Sequence, residues 1–300
     1  MMNVYEGTKE TGRRKTVKRK SQLASIWTRY KKSQLAMAGL FLLILLIVIA
    51  IVAPLLANYE QDAIKQNMPI RLQSPSREHI FGTDHYGRDV FARIIFGARI
   101  SLSVGLASVF ISSILGVLIG SIAGYYGGKI DNLLMRLMDV LLALPSIFLA
   151  ITIVAALGPG LINLLIAISI SYVPRFSRIV RSSILSIKNQ EFIEAARSCG
   201  TRDRRIILKH IIPNAIGPII VEATLSIARA IIHVSSLSFL GLGIKPPMPE
   251  WGSMLAEGKS YMGSHQYLVI IPGIAIVMSV MALNLIGDGL RDALDPRLKN

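Results

Sequence analysis

Residues 35 to 57, LAMAGLFLLILLIVIAIVAPLLA, run for 23 positions without one charged side chain. As a helix that stretch is about 34 Å long at about 1.5 Å per residue, enough to cross a hydrocarbon core about 30 Å thick. A helix apolar on every side is either the centre of a large core or a membrane span. A chain with 52% apolar and only 17% charged residues fits the second. Further apolar runs at 100–126, 133–157, 161–177, 211–236 and 267–287 bring the reading to six transmembrane helices, an all-α integral membrane protein with both termini on one side. Ten Lys and Arg precede Leu35. The apolar run behind them is too long for the h-region of a signal peptide and lacks a small-x-small cleavage site, so a retained first span is expected.

The charges set an orientation. With the N-terminus inside, inner segments hold 24 Lys and Arg and outer segments hold 8. Positive charge near span ends stays cytoplasmic, which predicts cytoplasmic termini and places 58–99 outside as an extracytoplasmic segment. The net charge of +15 then belongs to cytoplasmic loops and their contact with anionic lipid and partners rather than to nucleic acid. By composition the basic tail 1–34 is expected to lack order, 100–290 forms the core domain, and 291–300 is a second cytoplasmic tail. The single cysteine, Cys199, rules out an intrachain disulfide and any CxxC pair.

One polar stretch stands between the fourth and fifth apolar runs: EFIEAARSCGTRDRRIILKHIIPN, 191–214. Asn189 is a possible cap, and Glu191 and Glu194 suit the first turns of a helix. Phe192, Ala195, Ala196 and Cys199 recur at helical spacing and predict one small, mostly apolar face. Gly200 stands where helices end in a left-handed residue. Thr201 can cap a second helix, in which Asp203, Arg202, Arg204, Arg205 and Lys209 surround Ile206, Ile207 and Leu208 before Pro213. From the residues alone, such a pair of helices fits the inner leaflet as well as it fits a groove on a partner.

Three other groupings carry expectations. Ser112, Gly116, Gly120 and Gly124 repeat every four residues and predict close helix packing, against either this chain or a sister subunit. Glu222, Arg229 and His233 share roughly one face inside the fifth run, as the polar lining of a pathway or as a structural ion pair between helices. Asp84, His85 and Asp89 in GTDHYGRD lack metal-ligand spacing. That segment is read as a turn leading, through the Val90, Ile94, Ile95 and Ala98 stripe, into a helix along the outer surface, with no metal. No GxxxxGK[ST], GxSxG or HExxH occurs, and Gly128-Lys129 is followed by Ile130, so the expected catalytic set is empty. His233 with Ser235 or Ser236 is the nearest approach to an intramembrane enzyme, and those positions are too close on a helix to face each other.

Glu194-Ala195-Ala196, three residues, Gly200 and, further on, Pro213 resemble the EAA signature of bacterial ABC importer permeases, which continues from the glycine with nine residues and then Ile-x-Leu-Pro. Here His210 replaces the Ile and Ile212 the Leu, while the HIIPN ending is similar to that of the peptide-importing branch. FGTDHYGRDVFARIIFGARISLSVG (81–105), AGYYGGKIDNLLMRLMDVLLALPSIFLAI (123–151), SFLGLGIKPPMPEWGSMLAEG (238–258) and LNLIGDGLRDALDPRL (283–298) resemble the C-type permease subunit of dipeptide and oligopeptide importers. Phe81, Ala92, Val234 and Glu250 depart from that pattern. The resemblance implies a type I importer permease fold in the bacterial plasma membrane and a heterodimer with a sister permease. It also implies two cytoplasmic ATPases that bind ATP and Mg, so that no cofactor sits on this chain. An extracytoplasmic peptide-binding protein would dock with help from the outer segment. The loop 188–213 would be the ATPase-coupling element, with Phe192, Glu194, Ala195, Ala196, Gly200 and Arg205 as its residues. A nickel or metal-complex importer shares most of these motifs and stays open as the alternative, and a self-sufficient secondary transporter would instead run on an ion gradient.

Overall fold

The computed structural model describes residues 22–294; positions 1–21 and 295–300, with most of both predicted tails, lie outside it. Within the expected tail, α1 (Gln22–Tyr30) is nonetheless a helix. Ile26 and Tyr30, one turn apart, bury a small apolar face against Leu290 and Ala293 near the chain's end, and that contact supplies what composition alone did not promise. Ser33 Oγ accepts from the Ala36 amide and starts α2 (Gln34–Leu56), whose Phe41, Ile51 and Leu55 point outward. Outward apolar side chains at that density are what a lipid solvent selects.

The segment after α2 begins with a π-helical turn (Tyr59–Ile64) and a 3-10 turn (Met68–Ile70) and closes on the tight loop 82–89. Gly82 and Gly87 there have φ of +75° and +72°. Asp89 then caps the Ala92 amide and opens α3 (Val90–Tyr126), an unbroken 37-residue helix. The separate surface helix expected at 90–98 does not exist. No helix-breaking residue separates that stripe from the apolar run, and its charges find partners without a bend. Arg99 reaches Ala50 O and Ile51 O of α2 at 2.5 and 3.0 Å, and Arg93 is buried among carboxylates.

The apolar run 133–157 is likewise not one straight crossing. It breaks into α4 (Gly128–Leu142) and α5 (Ser146–Leu157), bent by 85°. Pro145 disfavours helical geometry at Leu144, and α4 carries Asp131, Arg136 and Asp139, which suit a surface better than lipid. Gly158-Pro159-Gly160 turns the chain into α6 (Leu161–Ile187). Then follow α7 (Glu191–Ser198), α8 (Asp203–Ile206), a π-helical turn (Ile207–Ile211) and α9 (Ile212–Phe239). Glu250 caps α10 (Trp251–Gly258), and α11 (Tyr267–Leu294) completes the described chain.

By length and composition four helical stretches can cross a membrane, namely α2, α3, Asp203–Phe239 and α11, and the bent pair makes a fifth. The six-span count therefore depends also on α6, whose 27 residues are long enough but carry Arg175, Arg178 and Arg181 in their second half. No β-strand occurs among the described residues.

The core lies where α3, α5, α6 and α9 meet, around Val109, Val154, Leu164, Ile168, Phe176, Ala230 and Leu237. Small residues set the helix spacing. A Cβ on Gly120 would lie 2.5 Å from Ser177 O, one on Gly124 3.0 Å from the Ile184 Cβ, and one on Gly116 would collide with the Phe176 Cβ. The stripe thus faces α6 of the same chain, and Ser112 Oγ donates to Ser169 O of α6 at 2.9 Å. Gly39 meets Leu285 of α11 in the same manner, and Gly105 meets Ile231 of α9. In lipid, where apolar transfer gives helices no reason to associate, such close backbone packing supplies the attraction.

Candidate functional site

The link between α6 and α9 is a knuckle of two short helices. Gln190, rather than Asn189, is the cap residue of α7, and no side chain caps it. Ile193 is fully buried with Ile206 and Ile211, packed against Val180, Ile184 and Ile187 of α6 and Ala215 and Ile219 of α9. Phe192, Glu194, Ala195, Cys199 and Gly200 stay exposed, as does Arg205, while Ala196 is half-buried beside the same cluster. The inward side of α7 is thus Ile193 and Ala196, and most of the small apolar face, read from the sequence as free for the leaflet or for a partner's groove, is left open. A single large aliphatic residue inside a short charged helix wins the interior because it buries the most apolar area.

The turn between the helices is fully bonded. Thr201 N donates to Ala196 O at 3.1 Å and Gly200 N to Arg197 O at 2.8 Å, a Schellman closure with Gly200 at φ +73°. Arg202, not Thr201, occupies the cap of α8, without a side-chain bond. A third helix holds the pair: Tyr125, at the end of α3, donates its hydroxyl to Asp203 Oδ1 at 2.6 Å, and Arg197 lies over its ring at 5.3 Å. Lys188 Nζ adds a 3.0 Å bond to Gly124 O. Tyr125 was missed in the sequence; its position in AGYYGG before a helix end was the signal, but the partner is 78 residues away. The knuckle is therefore a rigid body tied to α3, α6 and α9 at its back, with a charged and small-residue front.

Deeper along α6 and α9 lies a polar cluster. Glu222 is buried and takes Arg229 Nη2 and Arg175 Nε, each at 2.5 Å, and the Ser226 hydroxyl at 2.9 Å. His233 does not join it: its ring stacks on Tyr172 of α6, and Nδ1 is 3.1 Å from that hydroxyl. No hydrogen bond joins His233 to Ser235 or Ser236 among the described residues. Arg175 escaped notice as a partner because it stands near the end of the run 161–177, far along the chain from Glu222. Two further arginines of α6 pair with α4, Arg178 with Asp139 and Arg181 with Asp131.

Comparison with known proteins places these features. A model of the binding-protein-dependent transport system inner membrane component family matches residues 116–300, and one of the N-terminal TM domain of oligopeptide transport permease C matches 21–75. The chain belongs to the binding-protein-dependent inner membrane component family. Among curated relatives, a dipeptide transport system permease of Alkalihalophilus pseudofirmus is 51% identical over 270 residues, covering 90% of this chain and 88% of that one. A di/tripeptide transport system permease of Pseudomonas aeruginosa is 43% identical over 284 residues, 93% and 94% of the two chains. A glutathione transport system permease of Escherichia coli is 46% identical over 273, 91% and 90%. A chain of the inward-facing MetNI methionine ABC transporter superposes with a TM-score of 0.55 at 18% identity, covering 68% of this chain and 97% of that one, and so shares the fold.

The knuckle and the polar cluster both lie in the part matched by the family model, whereas 76–115 falls between the two matched ranges. That intervening part is built around buried ions. Arg88 bonds Asp84 at 2.6 Å and Glu257 of α10 at 2.7 Å, and Arg93 reaches the same carboxylates at 3.5 and 3.2 Å. Both arginines are 1% exposed. His85 stands beside Asp84 and Glu257 with ligand atoms within 4.8 Å, but the two guanidiniums already neutralise the two carboxylates, so the group reads as an ion network fastening the loop to α10. Burial pushes the His85 imidazole below its usual range despite those two acids. Asp89 turns away to its cap and to His79 Nδ1 at 2.8 Å.

Proposed function

We propose that this chain is the C-type permease subunit of a bacterial peptide ABC importer, forming with a sister permease the pathway for di- or oligopeptides delivered by an extracytoplasmic binding protein. The knuckle supports this reading most directly. It is an exposed helix, stopped at Gly200 and backed by Ile193, Ile206 and Ile211, joined without slack to two long helices. Such an element seated in an ATPase groove passes nucleotide-driven closure to α6 and α9 as a rigid-body shift. Phe192, Glu194, Ala195, Ala196, Gly200 and Arg205 form or border the contact, with the exposed Glu194 carboxylate unpaired among the described residues and open to a cation of the motor. Two cytoplasmic ATPases bind ATP and Mg, and this subunit performs no catalysis. Both termini and the knuckle face the cytoplasm, with α6 and the bent pair completing six crossings. Glu222, Arg229 and His233, now with Arg175 and Tyr172, line the path. The relatives named for dipeptides, di/tripeptides and glutathione favour peptide cargo over a nickel complex.

The test is uptake by the assembled importer. Glu194→Arg and Gly200→Val are expected to stop peptide uptake while insertion and expression persist. Normal uptake with residues 192–206 scrambled removes the coupling role. Calorimetry of the cognate binding protein with peptides and with nickel chelates decides the cargo class.

A further inference from the structure

Among the described residues, the polar cluster of α6 and α9 has one more positive charge than it can satisfy. Two guanidiniums share one carboxylate, Glu222. Arg229 spends only Nη2, on Glu222 and Ser226, and its Nε is buried without a hydrogen-bond partner. Arg175 spends only Nε. After these bonds the Arg175 and Arg229 side chains are still 50% and 33% exposed, while Glu222 is 9% exposed. The depth makes this costly. Arg229 lies about 10 Å inside the nearer end of the apolar run 211–236 at about 1.5 Å per residue, whereas Arg175 stands near the end of the run 161–177, so the depth is that of Arg229. Uncompensated arginine at that depth does not face lipid; it faces a cavity or a partner of opposite charge.

We infer that Arg175 and Arg229 form an anion site that receives the terminal carboxylate of a peptide in transit. The inference rests on the peptide-importer reading above and adds the group that is recognised. Guanidinium forks match a carboxylate in shape and charge, and the unspent Nη groups, unlike the buried Arg229 Nε, are the donors a second carboxylate would take. Glu222 holds both forks in place and keeps the net charge at one, so the site binds an anion without trapping it. Tyr172 and His233 border the same patch, and Tyr172 lies in the field of both arginines. The cargoes named for the relatives, dipeptides, di/tripeptides and glutathione, all carry a free carboxylate.

The experiment uses the full importer, with sister permease, ATPases and binding protein, in proteoliposomes. Turnover is measured for tri-alanine and for its C-terminal amide, each at a concentration shown by calorimetry to saturate the binding protein. A photoactivatable free-acid tripeptide measures capture on α6 and α9 independently. Arg175→Gln and Arg229→Gln should lower free-acid turnover about tenfold or more, the scale of one charge-assisted hydrogen bond. They should leave the amide within about twofold of the unaltered complex and abolish photocapture, with Arg229→Lys partly restoring both. Equal loss for both peptides in an intact complex assigns the cluster a purely structural role and overturns the site. Loss of the sister permease on co-purification assigns the free charge to that subunit and overturns it as well, as do unchanged free-acid turnover and photocapture. If the unaltered, assembled complex moves no peptide, the peptide reading fails and the site with it.

Discussion

Glu250 is a carboxylate with no cation beside it among the described residues. Its oxygens accept from the Gly252 and Ser253 amides at 2.8 Å each and from Ser101 Oγ at 3.3 Å, and the residue is fully buried. Burial pushes its carboxyl above the usual range, and the bonds from Gly252, Ser253 and Ser101 offset only part of that push. With the folded value raised, the stability linked to this group is full below the unfolded carboxylate range and is lost as pH rises through the folded value. Glu250→Gln should therefore gain thermal stability relative to the parent as pH is raised from about 5 to about 8, in unfolding of the detergent-purified protein. A pH-independent difference would count against the account. Glu250→Ala strips the cap and should cost about 1–2 kcal/mol near pH 5, with the cost shrinking as pH rises for the same reason. At the α3–α6 contact, Gly120→Leu should sharply lower the yield of folded protein. Gly273→Leu, at a helical glycine with nothing within 4 Å of its Cβ position, should not.

At the scale of elements the knuckle's strength lies in its anchors. Ile193→Ala empties a fully buried site and should cost about 2–5 kcal/mol, read as a lower unfolding midpoint. Tyr125→Phe removes the bond to Asp203 but keeps the ring under Arg197. It should leave insertion and ATPase binding intact while lowering peptide uptake per ATP hydrolysed, because α3 then follows the knuckle less tightly. Unaltered uptake per ATP in that variant would leave α6 and α9 as the only transmission. Much of this element was legible: the position of the two helices and the left-handed Gly200 follow from charge pattern and residue type. The face that turns inward was not. The stripe of Phe192, Ala195, Ala196 and Cys199, which the sequence offers to the leaflet or a partner, stays mostly open, but nothing in the sequence names Ile193 as the inward residue, since only the neighbouring Val180, Ile184 and Ile219 determine which side is covered.

For the whole molecule, the single exposed cysteine provides a test of orientation. If the knuckle is cytoplasmic, a membrane-impermeant maleimide should label Cys199 in inside-out vesicles and not in intact spheroplasts, and bound ATPase subunits should slow the labelling. Labelling from the outer face alone reverses the topology and removes the motor from the knuckle's reach.

The run of apolar residues determined from sequence alone that the chain is a helical membrane protein, because a bilayer leaves few other ways to satisfy a backbone. The order of motifs likewise pointed to the permease family. Tertiary structure alone decided the rest. Whether an apolar run is one helix or two depends on local breaks such as Pro145 and on whether charges such as Arg93 and Arg99 find partners, which made α3 continuous and bent α4 away from α5. The glycine stripe met α6 rather than an outside partner, and Arg175 met Glu222 across 47 positions, because packing brings together side chains whose separation along the chain carries no signal of their contact.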